Sequence, residues 1–288
     1  MKKKRQHCFV LLSGLAGFFV LLPLLVTLSN SFMTESELTI NYSARPLVFD
    51  TLEGTVEKYT RMSLIPRRFS ADQYAAVLVN QPAFLILLLN SLKITVPVVL
   101  GNLLVSFAGA YGFTRSRWKY RELLFRAYIV VMLLPLQALL VPNYIIADRL
   151  GIRETYLAII LPGIFSPFGV FLLRQNLKAF PPSYFEAAEM DGAGHWYILL
   201  RILAPQMKSS VAALSMLTFI DYWNLVEQAV VFITDYTREP LSVYLSRLSQ
   251  GHIALIFAAS AVYMLPPLWF LFTGQEDLEK GIELSGVK

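Results

Sequence analysis

Hydrophobic residues along the chain cluster in six long blocks that polar or charged segments separate. The blocks cover residues 9–28, 84–113, 123–146, 156–173, 211–231 and 253–272. Each block meets or nearly meets the roughly 20 residues that an α-helix needs, at 1.5 Å per residue, to cross about 30 Å of hydrocarbon. The pattern predicts an all-α integral membrane protein with six transmembrane helices.

The second block is longer than one crossing needs, and it carries Asn90, Ser91 and Lys93 near its start. We expect its apolar core to cover 94–113, with Lys93 extending its ammonium group toward the membrane surface. Six prolines lie in or near the blocks: Pro23, Pro97, Pro135, Pro142, Pro162 and Pro167. Because neighbouring helices and water can satisfy the carbonyls that a proline frees, these prolines predict kinks rather than breaks.

Lysine and arginine counts in the connections predict the orientation. With the N terminus inside, the inner segments hold 15 basic residues and the outer segments hold 9. Five of the nine are spread over the long segment 29–83, whereas 115–126 alone holds five of the inner ones. Because cytoplasmic flanks keep positive charge, both termini are expected inside. The resulting division is a cytoplasmic segment 1–8, a first span 9–28, an extracytoplasmic loop 29–83, a five-span core 84–272 containing the cytoplasmic loop 174–210, and a cytoplasmic tail 273–288.

The basic start MKKKRQ is also compatible with a cleaved secretory signal. The apolar block 9–28 is longer than the roughly 7 to 15 residues of a signal's apolar region, and no small-residue cleavage pair follows it. Cys8 is the only cysteine, which excludes an intrachain disulfide bond. Its place before the apolar block argues against a lipid-modified signal.

Composition agrees with the membrane class, since 56% of residues are hydrophobic, 16% are charged and the mean hydropathy is +0.53. The net charge of +5 lies beside the spans, where it faces anionic headgroups, so membrane lipid is expected as a partner and nucleic acid is not. His7, His195 and His252 lack metal-ligand spacing, and neither a GxSxG nor a GxxxxGK[ST] motif is present. We expect no catalytic, cofactor-binding or metal-binding residue, so any ATP and Mg²⁺ would be used on another chain.

The loop 174–210 contains the small-residue, acidic stretch EAAEMDGAGHW. Ser183 followed by Glu186, after two prolines, is a capping-box pattern that predicts a helix over 184–191. Gly192 suits a left-handed C-terminal cap. A turn at Ala193 and Gly194, a second amphipathic helix over 196–203 and a stop at Pro205 would complete a helix, turn, helix along the inner face of the membrane.

Three alanines of this stretch, Ala187, Ala188 and Ala193, would leave little side-chain bulk on its surface. Another protein's backbone could then approach closely. The alternative on pattern alone is a hairpin at the membrane surface that merely joins two spans, with Glu186 as a capping acid.

The stretch EAAEMDGAGHWYILLRILAP resembles the EAA loop of binding-protein-dependent ABC importer permeases, whose pattern is EAAxxDGA, then about nine variable positions, then a hydrophobic residue and LP. The matching residues are Glu186, Ala187, Ala188, Asp191, Gly192, Ala193, Ile202 and Pro205. Ala204 departs from the usual leucine.

Other pieces are similar to the second permease of the maltose-type, carbohydrate-uptake branch, and the likeness covers most of 63–288. These pieces are Asn90-Ser91-Leu92, Ala110-Tyr111-Gly112-Phe113, Tyr222-Trp223-Asn224 and the tail from Gly281 to Lys288. Two segments differ from the branch: Val226-Glu227-Gln228 is more polar, and Arg238-Glu239-Pro240-Leu241 replaces a common threonine-leucine-proline. The sugar therefore stays open.

The resemblance implies a type I importer permease fold and a complex with a second permease, two copies of a P-loop ATPase and an extracytoplasmic solute-binding protein. It also implies that the EAA helix sits in a cleft of the ATPase, whose closure on ATP moves the helix and swings the spans from inward-open to outward-open. Glu186 would serve its own helix cap or a basic residue of the ATPase, and Gly192 would keep the turn sharp.

The fifth block carries polar residues that are expensive to expose to lipid. Asp221, Asn224, Glu227 and Gln228 fall within about 120° of a helical wheel, so this face is expected toward protein or water. These residues could bind sugar hydroxyls while Tyr222 and Trp223 stack on a sugar ring. The alternative is hydrogen bonding between helices or against the partner permease.

A different class of function is an ion-coupled secondary transporter or channel subunit, in which Asp221 and Glu227 relay protons or cations. No repeat relates the first three blocks to the last three, and the EAA-like loop would have no role there. The sequence therefore favours an ATP-driven importer permease over that class and over a membrane-embedded enzyme.

Overall fold

The computed structural model describes residues 2–42, 45–46, 58–59, 63–116, 118–248 and 253–284, and their regular secondary structure is helical apart from one short antiparallel pair. The first part of the chain forms α1 (Lys2–Asn30), α2 (Glu35–Tyr42), β1 (Arg45–Pro46), β2 (Lys58–Tyr59) and α3 (Asp72–Leu78). The middle forms α4 (Pro82–Arg115), α5 (Arg121–Met132), α6 (Leu136–Arg149), α7 (Leu157–Ile164) and α8 (Pro167–Leu177). Then follow α9 (Pro182–Met190), α10 (His195–Tyr197), a π-helical segment (Ile198–Leu203) and α11 (Ala204–Gln206). The last part forms α12 (Lys208–Trp223), α13 (Glu227–Phe232), α14 (Leu241–Arg247) and α15 (Ile253–Leu284).

Four helical stretches of the described residues are long and apolar enough to cross a membrane: Val10–Asn30, Pro82–Arg115, Leu157–Leu177 and Ile253–Gly281. The pair α5 and α6 adds a fifth if it is one broken span, which bends by 102°. Only 6% of the apolar stretch of α1 is buried, as expected for a helix whose side chains face lipid. The predicted fifth block, 211–231, is divided between α12 and α13, and neither helix is counted as a candidate span. The described part of the chain therefore holds four or five candidate spans, whereas the sequence predicts six.

The prolines behave in two ways. Pro23, Pro97, Pro142 and Pro162 lie inside helices, where proline frees a carbonyl without ending the helix. The expectation of kinks rather than breaks is wrong at Pro135, which adopts an extended ψ of 144° between α5 and α6. Its ring lacks an N–H and would crowd the carbonyl four residues earlier in a continuous helix.

The expectation of a kink is also wrong at Pro167, which begins a new helix, α8. There the Ser166 hydroxyl accepts a hydrogen bond from the Gly169 N–H at 3.3 Å. This N-terminal cap is a helix start that proline favours at its first position.

The chain divides into two compact units. The first comprises Met1–Ile86 and Leu245–Leu265 and has a small core of fully buried Met33 and Leu38 with Ala254. Tyr42 packs its ring 5.3 Å from that of Phe257 beside this core. Part of the expected loop 29–83 lies here, and its residues 43–44, 47–57 and 60–62 fall outside the described residues.

The second unit comprises Leu87–Tyr244 and Pro266–Lys288. In it α4 lies close to α7 and α8, and a Cβ added at Gly169 would collide with the Ser106 hydroxyl. Buried Asn102 donates from Nδ2 to the Gly163 carbonyl at 3.2 Å and accepts from Ser106 at 3.0 Å. These hydrogen bonds satisfy polar groups inside an apolar block. The bond from Asn102 also joins α4 to α7.

The far end of α15 also belongs to the second unit. Ser209, at the start of α12, donates to Asp277 at 2.9 Å, and a Cβ added at Gly281 would collide with the Ser209 carbonyl oxygen. Because α15 runs unbroken past residue 272, the expected boundary between last span and tail is not a break in secondary structure. Residues 285–288 of the tail lie outside the described residues.

Candidate functional site

A helical hairpin (residues 182–206) joins α8 to α12 and contains the EAA-like stretch. Its first arm, α9, ends where Gly192 takes a positive φ of 75°. The Gly192 N–H donates to the Glu189 carbonyl and the Ala193 N–H donates to the Ala188 carbonyl, each at 3.0 Å. These two bonds form a Schellman motif, so the predicted left-handed cap at Gly192 is confirmed.

The start of the first arm differs from the prediction. α9 begins at Pro182, after Pro181 in extended conformation, and no side chain caps it. The predicted capping box at Ser183 is wrong, because a proline at the first helical position begins the helix one residue before that serine. Ser183 lies inside the first turn, and Glu186 is exposed and makes no capping bond in the described structure.

The second arm begins at His195, one residue before the prediction, and continues to Gln206. Its middle is π-helical over Ile198–Leu203, which ends two residues before Pro205. A wider turn at this place relieves the crowding that a proline ring imposes on the preceding turn of an α-helix. The predicted stop at Pro205 falls two residues early, because the backbone leaves the helix at Met207 with φ −100° and ψ 20°.

One face of the hairpin is buried in a hydrophobic core. Phe185 and Ala188 of the first arm are buried together with Ile198, Leu199 and Leu203 of the second. Ala193 is partly buried against the same core. Of the three alanines expected on a low-bulk outer surface, only Ala187 is exposed, because the faces of Ala188 and Ala193 pack inward.

Polar contacts hold the hairpin to the end of α4. Arg115 Nη2 lies 2.6 Å from Glu189 Oε1, and its guanidinium lies 4.9 Å from the centre of the Phe185 ring. The Tyr111 hydroxyl lies 3.0 Å from His195 Nδ1. Arg115 and Glu189 carried no signal in the sequence beyond their charge, whereas Tyr111 belongs to one of the segments that resemble the permease branch.

The part of the hairpin that these contacts leave uncovered includes motif residues, beside the large exposed side chains of Met190 and Trp196. Glu186, Ala187, Asp191 and Gly192 are exposed. A Cβ added at Gly192 would meet nothing within 4 Å. The hairpin therefore presents its acidic motif residues together with large apolar side chains, on a base that is fixed by packing and ion pairing.

A second candidate region is the interrupted segment (residues 221–234), which contains the end of α12, α13 and Thr234. The predicted polar arc on one helix is wrong, because α12 ends at Trp223 and α13 begins at Glu227. The Asn224 side chain donates to the Ile220 carbonyl at 2.9 Å, and its backbone N–H reaches the same carbonyl. Such competition for a helix carbonyl favours a helix end over a continuing helix.

The polar residues of the interrupted segment occupy different environments. Asp221, Asn224 and Glu227 are exposed, while Gln228 is buried. Gln137 Nε2 donates to Glu227 Oε2 at 3.0 Å. Gln137 lies in the first turn of α6, beside the break at Pro135, and nothing in the sequence singled it out.

The two aromatic residues of this region are not equivalent. Trp223 is fully buried and stacks on Phe219 at a centroid distance of 5.3 Å and an angle of 15°. Tyr222 is half-buried, and its hydroxyl would lie 2.6 Å from a Cβ added at Gly163. Among the described residues, no group of three or more histidine, cysteine, aspartate or glutamate side chains is placed to hold a metal ion.

Several apolar helices of membrane-spanning length define the class of multi-pass membrane proteins, and a packed hairpin with an exposed acidic end lies between two of them along the chain. Residues 101–280 match the family model of the binding-protein-dependent transport system inner membrane component. The chain belongs to this family.

Individual relatives agree with the family match. The chain is 30% identical over 202 residues to the lactose transport system permease protein LacG of Rhizobium radiobacter, covering 69% of this chain and 74% of that protein. It is 26% identical over 275 residues to the arabinooligosaccharides transport system permease protein AraQ of Halalkalibacterium halodurans, covering 94% and 92% of the two chains. A crystal structure of a bacterial ABC transporter involved in the import of the acidic polysaccharide alginate shares its fold, with a TM-score of 0.78 and 21% identity over 96% of this chain and 98% of that chain.

The chain is therefore a multi-pass permease subunit of a binding-protein-dependent ABC transport system in the bacterial inner membrane. ATP hydrolysis in such a system takes place on a separate ATPase subunit, and a binding protein delivers the solute. Membership of this family favours the ATP-driven importer over the ion-coupled transporter as the function of the chain.

Proposed function

We propose that this permease imports a sugar or oligosaccharide as one half of a heterodimeric membrane domain, together with a second permease, two copies of a P-loop ATPase and an extracytoplasmic solute-binding protein. The relatives named above are permeases of lactose and arabinooligosaccharide transport systems, which supports a carbohydrate substrate. This chain supplies no cofactor site in the proposal, since ATP and Mg²⁺ belong to the ATPase.

The proposed topology keeps six crossings with both termini cytoplasmic. The interrupted segment would complete the fifth crossing at 211–231, with its break inside the membrane. A non-helical turn at that depth is tolerated where protein or a water-filled cavity covers it. The divisions at 8, 28, 83, 272 and the loop 174–210 then mark changes of environment, and α15 passes through one of them as a single helix.

The observation that carries the coupling proposal is the contrast between the two faces of the hairpin. Its base is fixed through buried Phe185 and the Arg115–Glu189 ion pair. Its exposed end carries Glu186, Asp191 and Gly192. A rigid short helix with one fixed face transmits a push from a docked ATPase to α4, while the motif residues Ala188, Ala193 and Pro205 keep the hairpin in shape.

An affinity purification of the tagged chain from its native membranes tests this proposal. We expect a P-loop ATPase and a second multi-span permease to copurify with the wild type in mild detergent. The double variant Glu186→Ala, Gly192→Asp should lose the ATPase and keep the second permease, because only the exposed end of the hairpin changes. Absence of any ATPase from the wild-type complex would remove the coupling mechanism.

The proposed translocation path runs past the exposed polar residues of the interrupted segment. Asp221, Asn224 and Glu227, with Gln137 as the hydrogen-bond partner of Glu227, offer the acceptors and donors that sugar hydroxyls need. Gln228 and Trp223, being buried, would support this surface from behind, and Tyr222 would contribute its edge.

Uptake assays on Asn224→Ala and Glu227→Ala, corrected for expression, test the path. We expect each variant to weaken the apparent affinity for substrate. A control is Ser215→Ala, since Ser215 lies within α12, before the interrupted segment, and donates to the Val211 carbonyl at 2.7 Å. Unchanged affinity in both test variants would instead assign these residues to contacts between the two permeases.

A further inference from the structure

A strongly basic cavity lies behind the hairpin in the second unit, between the end of α4, the start of α5 and the end of α8. Its volume is about 230 Å³. Its lining includes four basic side chains and one carboxylate: Arg115, Arg121, Arg174, Lys178 and Glu122. No feature of the permease family match or of the coupling proposal assigns a ligand to this cavity.

Arg174 is the most unusual of these residues because its side chain is only 2% exposed. Its Nη2 donates to Glu122 Oε1 at 2.5 Å, and its guanidinium lies 3.7 Å from the centre of the Phe125 ring. Its Nε is buried without a hydrogen-bond partner in the described structure. Burying a guanidinium charge is costly, so the position favours additional negative charge nearby.

The positive charges of the cavity exceed the negative ones. Glu122 is shared, since it also lies 3.7 Å from the Nε of Arg121. Arg121 Nη1 donates hydrogen bonds to the carbonyl oxygens of Thr114 and Ser116 at the end of α4. The other two basic side chains differ in their ion pairing. Arg115 pairs with Glu189, which lies outside the cavity lining, whereas Lys178 has no ion pair within the described residues.

Counted formally, the four basic groups and their two carboxylate partners, Glu122 in the lining and Glu189 outside it, leave an excess of two positive charges. Arginine forks match the oxygen geometry of phosphate, and a phosphate group carries between one and two negative charges near neutral pH. The cavity is smaller than the roughly 300 to 1,000 Å³ of sites for drug-sized ligands, so a single small anionic group fits better than a nucleotide.

We propose that this cavity binds a phosphate group. Basic pockets between membrane helices on the cytoplasmic side are typical sites for anionic lipid headgroups, and Phe113 and Leu177 add apolar walls here. The same chemistry would accept free inorganic phosphate. Since Arg115 both lines the cavity and pairs with Glu189, a bound phosphate would act next to the base of the hairpin.

Thermal unfolding of the purified full-length chain in detergent tests the proposal. The probes are short-chain phosphatidylglycerol, short-chain phosphatidylcholine and inorganic phosphate, each titrated separately. We expect phosphatidylglycerol to raise the unfolding midpoint in a saturable way and zwitterionic phosphatidylcholine to have no such effect. Lys178→Gln should weaken the apparent affinity by about tenfold, because it removes one of the charges that would pair with the phosphate.

Arg126→Gln is the matched control, since Arg126 is an exposed base on α5 that does not line the cavity. Lys178 is exposed as well, so its neutral variant is expected to fold. Saturation by the lipid alone identifies a headgroup site, and saturation by both anions identifies a site for phosphate from either source. Equal affinity in the wild type and Lys178→Gln, an equal loss in Arg126→Gln, or no saturable response in the wild type would overturn the proposal. The readout is binding to this chain, so it does not depend on transport.

Discussion

The hairpin and the interrupted segment are both places where polar residues gather beside long apolar helices, and they are built in different ways. In the hairpin, the turn follows from contacts a few residues apart, namely the hydrogen bonds of Gly192 and Ala193 to the preceding carbonyls. In the interrupted segment, the positioning contacts come from far along the chain. Gln137 is 90 residues from Glu227, and Glu154 is 80 residues from its partner Thr234.

This difference separates two kinds of functional surface. A motif whose turn is fixed by neighbouring residues can present a constant shape to a partner protein, while distant contacts such as that of Arg115 with Glu189 hold its base. A segment held by distant helices changes shape when those helices move, which suits a path that has to open and close. The hairpin is thus suited to transmit motion and the interrupted segment to respond to it.

The largest expected effect concerns the buried aromatic residue of the interrupted segment. Trp223→Ala should destabilise the chain by about 3 to 5 kcal/mol, because it removes a fully buried ring stacked on Phe219. The adjacent Asn224→Ala should cost far less, since Asn224 is exposed. Chemical unfolding in detergent would measure both. A small loss for Trp223→Ala with a large loss of substrate affinity would show instead that the indole contacts the sugar.

The next prediction tests whether the hairpin fixes its own geometry. Gly192→Asp should cost about 1 kcal/mol of stability, because the residue has a positive φ, and should abolish most uptake while the protein stays inserted. The side chain would meet open space in the isolated chain, so the loss would reflect the docked partner. Uptake of labelled substrate, normalised to the amount of protein in the membrane, is the measurement.

The matched control for this variant is Gly194→Asp. Gly194 has an ordinary φ of −69° and equally open surroundings, so its variant should be tolerated in the fold. Comparing the two separates the effect of the left-handed turn from that of added charge. Normal uptake by Gly192→Asp would end the coupling hypothesis for the hairpin.

These two regions also show how far the sequence alone could lead. The apolar blocks predicted the helices, and Gly192 predicted its own turn, because both signals are local. The capping box predicted at Ser183 was wrong because the helix begins one residue earlier, at Pro182. The end of α12 at Trp223 had no periodic signal, since it depends on how the Asn224 side chain bonds to the helix it terminates. Arg115 and Gln137 could not be singled out, because their partners are distant in sequence.

A smaller effect is expected from the ion pair at the base of the hairpin. Glu189→Lys places two positive charges together at Arg115, and the partial exposure of both groups limits the loss of stability to about 1 kcal/mol. Uptake should fall by more than this loss of stability explains, because the ion pair that joins the hairpin to α4 would be broken. Uptake and the unfolding midpoint should be measured together.

The double variant Arg115→Glu, Glu189→Lys restores opposite charges and should recover much of the uptake. Recovery would assign the loss of uptake to the ion pair between residue 115 on α4 and residue 189 on the hairpin. Failure to recover, with normal folding, would mean that Arg115 acts mainly through the basic cavity behind the hairpin.

The smallest effect concerns the distant support of the interrupted segment. Glu154 accepts hydrogen bonds from the Thr234 backbone N–H at 2.8 Å and from its hydroxyl at 2.9 Å, and these bonds hold the pKa of Glu154 below its ordinary value. A carboxylate with a lowered pKa contributes stability above its unfolded pKa and loses that contribution as the pH falls through the folded value. The difference in unfolding midpoint between the wild type and Glu154→Gln should therefore be constant from about pH 6 to about pH 8 and shrink below about pH 4. A difference that instead grows toward acid pH would contradict the prediction, because it would mean that protonated Glu154 stabilises the protein more than the carboxylate does.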